Sequence, residues 1–144
     1  MNEAMASTQQ QIPAPQEGFL GAHFITSRDV RRAAAFYRDV LGGEVVFQGE
    51  PTFVKVANTW VVIDAGGGPT DDKPDVILEA PSDAHKATDF LVLFVADIQS
   101  AYRDWMKKGA TFLTPPTPRP GGIRCYMRDP DGYLIQVAQL KPPS

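Results

Sequence analysis

The strongest constraint on this sequence is a junction between an extended segment and a helix that occurs twice. Residues Phe24 to Val30 pass from an extended pattern into a helical one, and Leu91 to Ile98 do the same about 68 residues later. Asp97 stands where Asp29 stands in the first copy. Such a repeat predicts two similar modules, which we expect to pack together because neither can easily cover its own sheet.

Each junction leads into one amphipathic helix. Gly42 and Gly43 end the first apolar stripe, and Ser27 is its candidate N-cap. The second stripe begins after Asp97, also a cap candidate, and stops at Gly109. The apolar positions are Val30, Ala33, Ala34, Tyr37 and Leu41 in the first helix, and Ile98, Ala101, Tyr102, Trp105 and Met106 in the second.

Short runs rich in β-branched and aromatic residues follow each helix, so each module has the pattern βαβββ and the predicted fold class is α+β. We place module one at residues 18–66, a Gly- and Pro-rich crossover at 67–88 and module two at 89–140, all within one domain. Residues 1–17 are predicted to be a flexible tail. The expected strands are Glu44–Gln48, Thr52–Ala57, Thr59–Asp64, Thr111–Leu113, Ile123–Met127 and Tyr133–Ala138, with a short one at Val76–Leu78.

Composition and charge exclude several classes of partner. The 144 residues carry 14 Lys and Arg against 17 Asp and Glu, a net charge of -3, which argues against nucleic acids and anionic membranes. The longest apolar run, Phe90 to Ala96, is too short to span a bilayer, and the first residues lack the pattern of a secretory signal. The single cysteine, Cys125, cannot form an internal disulfide. We therefore expect a cytoplasmic protein.

Two further segments carry a resemblance to a known family. Residues Arg31 to Gly42 contain Phe-Tyr-x-Asp-Val-Leu-Gly, and Arg128 to Val137 contain Asp-Pro-Asp-Gly. Together they resemble the vicinal oxygen chelate superfamily, which contains glyoxalase I, bleomycin-resistance proteins, extradiol dioxygenases and fosfomycin-resistance enzymes. The resemblance implies that the strands of each module curl into a half-open cup and that the two cups share one cavity, as a half-open barrel. It also favours a homodimer, as do open sheet edges.

Two chemically suggestive features are expected to be structural. The Asp129-Pro130-Asp131-Gly132 segment is a turn sequence, with proline setting one dihedral angle and glycine free to adopt a positive φ. Cys125 alternates with Arg124 and Tyr126 along a strand, so we expect a buried thiol on the helix-facing side rather than a nucleophile.

Enzymes of this superfamily bind a divalent ion through histidine and glutamate, and the resemblance places poor ligands at the equivalent positions. Gln136 stands at the glutamate position of the last strand, and its amide oxygen is a weaker ligand. Phe90 stands at the histidine position of module two, where a phenyl ring cannot bind metal. Ala22 stands at the histidine position of module one.

Two acidic or imidazole side chains lie near the remaining metal positions. His23 is next to Ala22, but strand alternation directs it away from the cup unless a bulge intervenes. Val62 stands at the fourth position, and Asp64 shares its face. A rearranged metal site would therefore use His23, Asp64 and Gln136, whereas we predict no bound metal or other cofactor.

The cup implied by the resemblance is mostly apolar and aromatic, with a few polar groups, which is typical of a small-molecule site. The predicted function is therefore binding of a small aromatic or planar molecule at a degenerate metal site, as the resemblance to bleomycin-resistance proteins implies. The alternatives are a divalent-metal-dependent lyase or dioxygenase of glyoxalase I or extradiol dioxygenase type, and a structural or regulatory protein whose cup is filled. The predicted ligand-binding residues are Phe24, Trp60, Asp64, Phe90, Arg124, Tyr126 and Gln136.

Overall fold

The computed structural model describes residues 12–141, so residues 1–11 of the predicted tail lie outside the described part. The chain divides into two compact units, Met1–Ala80 and Pro81–Ser144. The division falls within the predicted crossover at 67–88. Across residues 12–141, no helix has both the length and the apolar character needed to span a membrane.

The first unit is a four-stranded sheet with one helix. Its strand order is β1-β4-β3-β2, in which β1 runs parallel to β4 and the other pairs are antiparallel. In this order the last strand of the unit, β4, lies beside the first strand, β1. The elements are β1 (His23–Ser27), α1 (Val30–Asp39), β2 (Glu44–Phe47), β3 (Thr52–Val56) and β4 (Thr59–Ala65).

One face of the first sheet is covered by α1, which contacts β3 and β4. Alternate side chains on these strands, including Val54 and Ile63, are fully buried on that face. From α1, Ala33 and Tyr37 are buried against it. The intervening side chains define the open face of the first sheet, where Phe53 and Lys55 are half-buried and Trp60 is buried.

The second unit repeats this plan with one added strand. Its sheet has the order β5-β9-β8-β6, and β7 also pairs with β8. Strand β5 is parallel to β9, as β1 is to β4. The elements are β5 (Leu91–Phe94), α2 (Ile98–Lys107), β6 (Thr111–Phe112), β7 (Thr117–Arg119), β8 (Gly122–Arg128) and β9 (Leu134–Leu140).

The second sheet also has one buried and one open face. Cys125, Met127, Ile135 and Val137 form the buried face, together with Ile98 of α2. The residues between them on β8 and β9 belong to the open face. The predicted α+β fold with two βαβββ modules is thus confirmed.

The predicted N-cap of the first helix was wrong. Ser27 is the last residue of β1, and its Oγ accepts a hydrogen bond from the Asp29 amide at 3.1 Å. The N-cap is Asp29, whose Oδ1 accepts from the Arg32 amide at 3.1 Å. Asp97 caps α2 as predicted, and the hydrogen bonds from Ser100 lower the pKa of its carboxyl.

The observed strands differ from the predicted ones in two places. Residues Val76 to Leu78 do not form a strand, because only Leu78 pairs, in an isolated bridge with Gly67. Strand β7 was not predicted, since Pro118 lies at its centre. Proline is tolerated there because β7 pairs only with β8 in the described structure and is an edge strand.

The Asp-Pro-Asp-Gly segment forms the turn between β8 and β9. Asp129 is 5% exposed, and its Oδ1 accepts hydrogen bonds of 2.9 Å from the amides of Asp131 and Tyr133. Gly132 has a φ of 95°, which glycine adopts without strain. The carboxylate therefore organises the turn, as its predicted structural role requires.

Candidate functional site

The open face of the second sheet carries a cluster of four side chains around Tyr126. Gln136 donates a hydrogen bond of 2.7 Å from Nε2 to the Tyr126 hydroxyl. The Phe90 ring meets the Tyr126 ring edge to face, with 5.7 Å between centroids, and Arg124 Cζ lies 5.8 Å from the Tyr126 centroid. We call these four residues the Tyr126 cluster, and all four are predicted ligand-binding residues.

Strand register explains why residues from three chain segments meet here. Tyr126 on β8 lies directly opposite Gln136 on β9, and Arg124 lies two residues earlier on the same face. Phe90 immediately precedes β5, which is paired with β9 so that Val92 lies opposite Gln136. The sheet therefore holds the cluster on a paired framework.

The cluster is accessible. Phe90 is 41% exposed, and Arg124 is also exposed, whereas Tyr126 and Gln136 are half-buried. Across residues 12–141, the Gln136 amide makes one hydrogen bond, through Nε2, which leaves its Oε1 able to accept from a ligand. The cluster therefore offers two aromatic surfaces, one cation and one acceptor.

A pocket opens beside the Tyr126 cluster where β7 turns into β8. It has a volume of about 120 Å³, and its lining includes Arg119, Gly122, Arg124 and Gln136. A larger one of about 460 Å³ lies at the same end of the sheet, next to Arg119 and Leu140. Arg119 was missed because β7 was not predicted.

A sequence signal for this pocket exists in the Pro120-Gly121 pair, the two residues between β7 and β8. Arg119 lies opposite Gly122, and Gly121 has a φ of 91°, so proline and glycine occupy the two central positions of a tight turn. A proline-glycine pair between two β-type segments would have predicted the hairpin, and with it the position of Arg119.

Three other predicted ligand-binding residues lie on the open face of the first sheet. Phe24 is 46% exposed and lies opposite Val62 of β4. Trp60 is 9% exposed, with Lys55 Nζ 4.8 Å from the centroid of its ring. Asp64 Oδ1 accepts a hydrogen bond of 2.9 Å from the Ala65 amide. These residues share one face, but their role in binding stays a prediction.

His23 is on the other face of this sheet. It lies opposite Val61, which is fully buried, and alternates with Phe24. His23 and Asp64 therefore belong to opposite faces, as the alternation argument predicted for His23. Within residues 12–141, no group of three or more His, Cys, Asp or Glu side chains could hold a metal ion. The candidate donors His23, Asp64 and Gln136 therefore do not fit the divalent site that the resemblance implies.

Cys125 lies on the buried face of the second sheet, opposite Val137. Its side chain is 2% exposed, and burial raises the pKa of the thiol to about 11. The thiol is therefore protonated at neutral pH and inaccessible, which agrees with the predicted structural role.

Two βαβββ units, each with one helix-covered and one open sheet face, define an α+β protein built from two similar modules. The chain belongs to the Glyoxalase/Bleomycin resistance protein/Dioxygenase superfamily, because the model of that family matches residues 20–137. The resemblance stated from the two sequence signatures is thus confirmed. A comparison with curated protein sequences gives no significant match.

Solved structures share the fold at low identity. A superfamily member from Sphaerobacter thermophilus DSM 20745 is 23% identical, with a TM-score of 0.63 over 87% of this chain and 99% of that chain. TnmS3, an antibiotic binding protein from Streptomyces sp. CB03234, is 17% identical, with a TM-score of 0.63 over 89% and 100%. The fosfomycin resistance protein FosX from Mesorhizobium loti is 20% identical, with a TM-score of 0.58 over 87% and 93%.

Proposed function

We propose that this protein binds a small aromatic or planar molecule at the Tyr126 cluster and that binding needs no metal ion. The observation that carries the proposal is the contact of Tyr126 with Phe90, Arg124 and Gln136 on an accessible sheet face. Phe24, Trp60 and Asp64 are proposed as further ligand-contacting residues.

The chemistry of the cluster suits a planar ligand. Aromatic pairs in stacked or edge-to-face geometry contribute about 0.5–1.5 kcal/mol beyond the area that they bury. Phe90 and Tyr126 offer such surfaces, and the hydrogen bond from Gln136 holds the Tyr126 ring in one orientation. Less ring motion therefore remains to be lost on binding, which favours affinity.

Relatives of the same fold support a small-molecule role. TnmS3 is described as an antibiotic binding protein and FosX as a fosfomycin resistance protein. We further propose that this chain works as a homodimer in the cytoplasm. Its one cysteine is buried as a free thiol, which fits a reducing compartment.

Titration calorimetry with 2-(hydroxymethyl)anthraquinone and anthraquinone-2-sulfonate, with and without EDTA, tests the proposal. At least one of the two planar compounds should bind, and EDTA should leave its Kd unchanged. Phe90→Leu and Tyr126→Leu should each raise Kd by about threefold to tenfold, through lost ring contacts. Phe19→Leu is the control, because Phe19 is 96% exposed and lies outside both sheets.

Two results would overturn the proposal. Failure of both compounds to bind would contradict a planar-ligand site. Binding that disappears with EDTA, together with about one divalent ion per chain in protein purified without a metal-affinity step, would favour the metal-dependent lyase or dioxygenase instead. Elemental analysis of the same sample measures the ion.

A further inference from the structure

We infer that the ligand is a planar aromatic anion whose carboxylate, sulfonate or phosphate group binds between Arg119 and Arg124. This inference rests on the proposed function and adds the charge of the ligand and the place of its acidic group. The proposed anion subsite consists of Arg119, Arg124 and the pocket beside Gly122.

Strand register brings the two arginines together. In the β7–β8 hairpin, Arg119 lies opposite Gly122, and Thr117 lies opposite Arg124. Alternation places both arginines on the open face, the face that carries Tyr126. Both arginines line the pocket of about 120 Å³, and Gly122 lies between them on the same face, where β8 approaches the Gln139 carbonyl of β9 too closely for a side chain.

Neither arginine is neutralised by the chain. Within residues 12–141, neither guanidinium forms an ion pair, and the contact found for Arg124 is with the Tyr126 ring. The open-face residues of β7, β8 and β9 include no acidic side chain. They are Thr117, Arg119, Gly122, Arg124, Tyr126, Arg128, Leu134, Gln136, Ala138 and Leu140.

The third arginine on this open face, Arg128, lies at the other end of β8 and is already hydrogen-bonded. Arg128 donates from Nη1 to the Gly132 carbonyl at 3.1 Å and from Nη2 to the Ala84 carbonyl at 2.6 Å. Its guanidinium therefore ties the turn to the preceding loop. Arg119 and Arg124 make no such hydrogen bonds in the described structure, so both guanidinium groups can meet a ligand.

The open face of the first sheet differs in charge. Lys55 lies opposite Glu44 on β2, and Asp64 adds a second carboxylate to the same face. Of the two open faces, the one on the second sheet therefore carries arginines with no carboxylate on its paired strands β7, β8 and β9. A guanidinium pair of this kind binds oxyanions well, because each guanidinium can donate two parallel hydrogen bonds to a carboxylate, sulfonate or phosphate group.

The spacing limits the size of the ligand. Arg124 and Tyr126 are two residues apart on one strand, a distance of about 7 Å along the backbone. If the ligand's ring system packs against Tyr126, an acidic group attached to the edge of that ring system lies within reach of Arg124. An aromatic acid with the charged group attached directly to the ring system fits this spacing.

Binding of anthraquinone-2-sulfonate, compared with the neutral 2-(hydroxymethyl)anthraquinone, tests the inference. We expect the anion to bind at least about tenfold more tightly, because charge-assisted hydrogen bonds are roughly twice as strong as neutral ones. Arg119→Gln and Arg124→Gln should each raise Kd for the anion by about tenfold. Raising KCl from about 50 to 500 mM should weaken binding of the anion by screening its charge, and it should leave binding of the neutral compound unchanged.

Arg103→Gln is the matched control, since Arg103 is exposed on α2 and the substitution changes net charge equally. It should leave Kd for the anion unchanged. Equal affinity for the anion and the neutral compound, or an equal loss in Arg103→Gln, would overturn the anion inference while the planar-ligand proposal stands. If neither compound binds, the proposed function fails, and this inference fails with it.

Discussion

Gln136 and Tyr126 lie opposite each other on β9 and β8, and the Gln136 amide donates a hydrogen bond of 2.7 Å to the Tyr126 hydroxyl. Gln136 also stands where the resemblance places a metal-binding glutamate. In this chain that position takes part in an internal hydrogen bond of the Tyr126 cluster. The position that the resemblance assigns to a metal ligand therefore orients the Tyr126 ring in this chain.

Removing this hydrogen bond should lower stability modestly. Tyr126→Phe should reduce the free energy of unfolding by about 1 kcal/mol, since a half-buried amide donor loses its partner. The double variant Tyr126→Phe/Gln136→Leu should lose less stability than the sum of the losses in Tyr126→Phe and Gln136→Leu alone. Urea unfolding measures all three variants. Tyr102→Phe is the control, because the Tyr102 ring packs against Phe112 and its hydroxyl makes no hydrogen bond among residues 12–141; a similar loss there would contradict the prediction.

Restoring histidine and glutamate should create metal affinity in the second unit. Phe90→His combined with Gln136→Glu places imidazole and carboxylate on two sides of Tyr126, on one sheet face. We expect Zn²⁺ to bind the double variant at least about tenfold more tightly than the parent or either single variant. Calorimetry at pH 7 measures this affinity, and equal Zn²⁺ binding by the parent would refute the prediction.

The Cys125 thiol should resist chemical modification in the folded protein. Its pKa is raised to about 11 by burial, so little thiolate exists at pH 8. We expect Ellman's reagent to label no thiol in native protein and one per chain in concentrated urea. Rapid labelling of the native protein would show that Cys125 is accessible.

The same thiol should make stability fall at high pH. An unfolded thiol ionises near its usual pKa, whereas the folded thiol holds its proton until about pH 11. The native state therefore binds more protons between these values, and the free energy of unfolding decreases as pH rises through this window. Urea unfolding from pH 8 to 10.5 should show a shallower decline in Cys125→Ala, and an identical decline would exclude a contribution from the thiol.

The turn between β8 and β9 should depend on the Asp129 carboxylate. Asp129→Ala leaves two backbone amides without their acceptor, which should destabilise the protein by about 2–4 kcal/mol. Asp104→Ala, which removes an exposed carboxylate from α2, should change stability by less than about 0.5 kcal/mol. Thermal unfolding compares the two, and similar melting temperatures would contradict a structural role for Asp129.

The helices, the cap of α2 and the turn were predictable because their signals are local. Gly42 follows the first apolar stripe and adopts a φ of 76°, close after the end of α1. Asp97 caps α2 through a residue three positions away. Such contacts lie within a few residues of chain, so they can be predicted from sequence spacing. Ser27 was misassigned because Ser and Asp are both good caps, and β1 extends to Ser27 before the helix begins.

The sequence alone determined the alternation of side chains, and thus that Cys125 and Tyr126 face opposite sides of one strand. Only tertiary structure decided which residues meet across strands, because register depends on pairing between segments far apart in the chain. That pairing set Tyr126 against Gln136 and Phe90, and it placed Arg119 beside Arg124 through an edge strand with a central proline. A local pattern carries no information about such partners, since the free energy that selects them comes from packing and hydrogen bonds formed by the whole sheet.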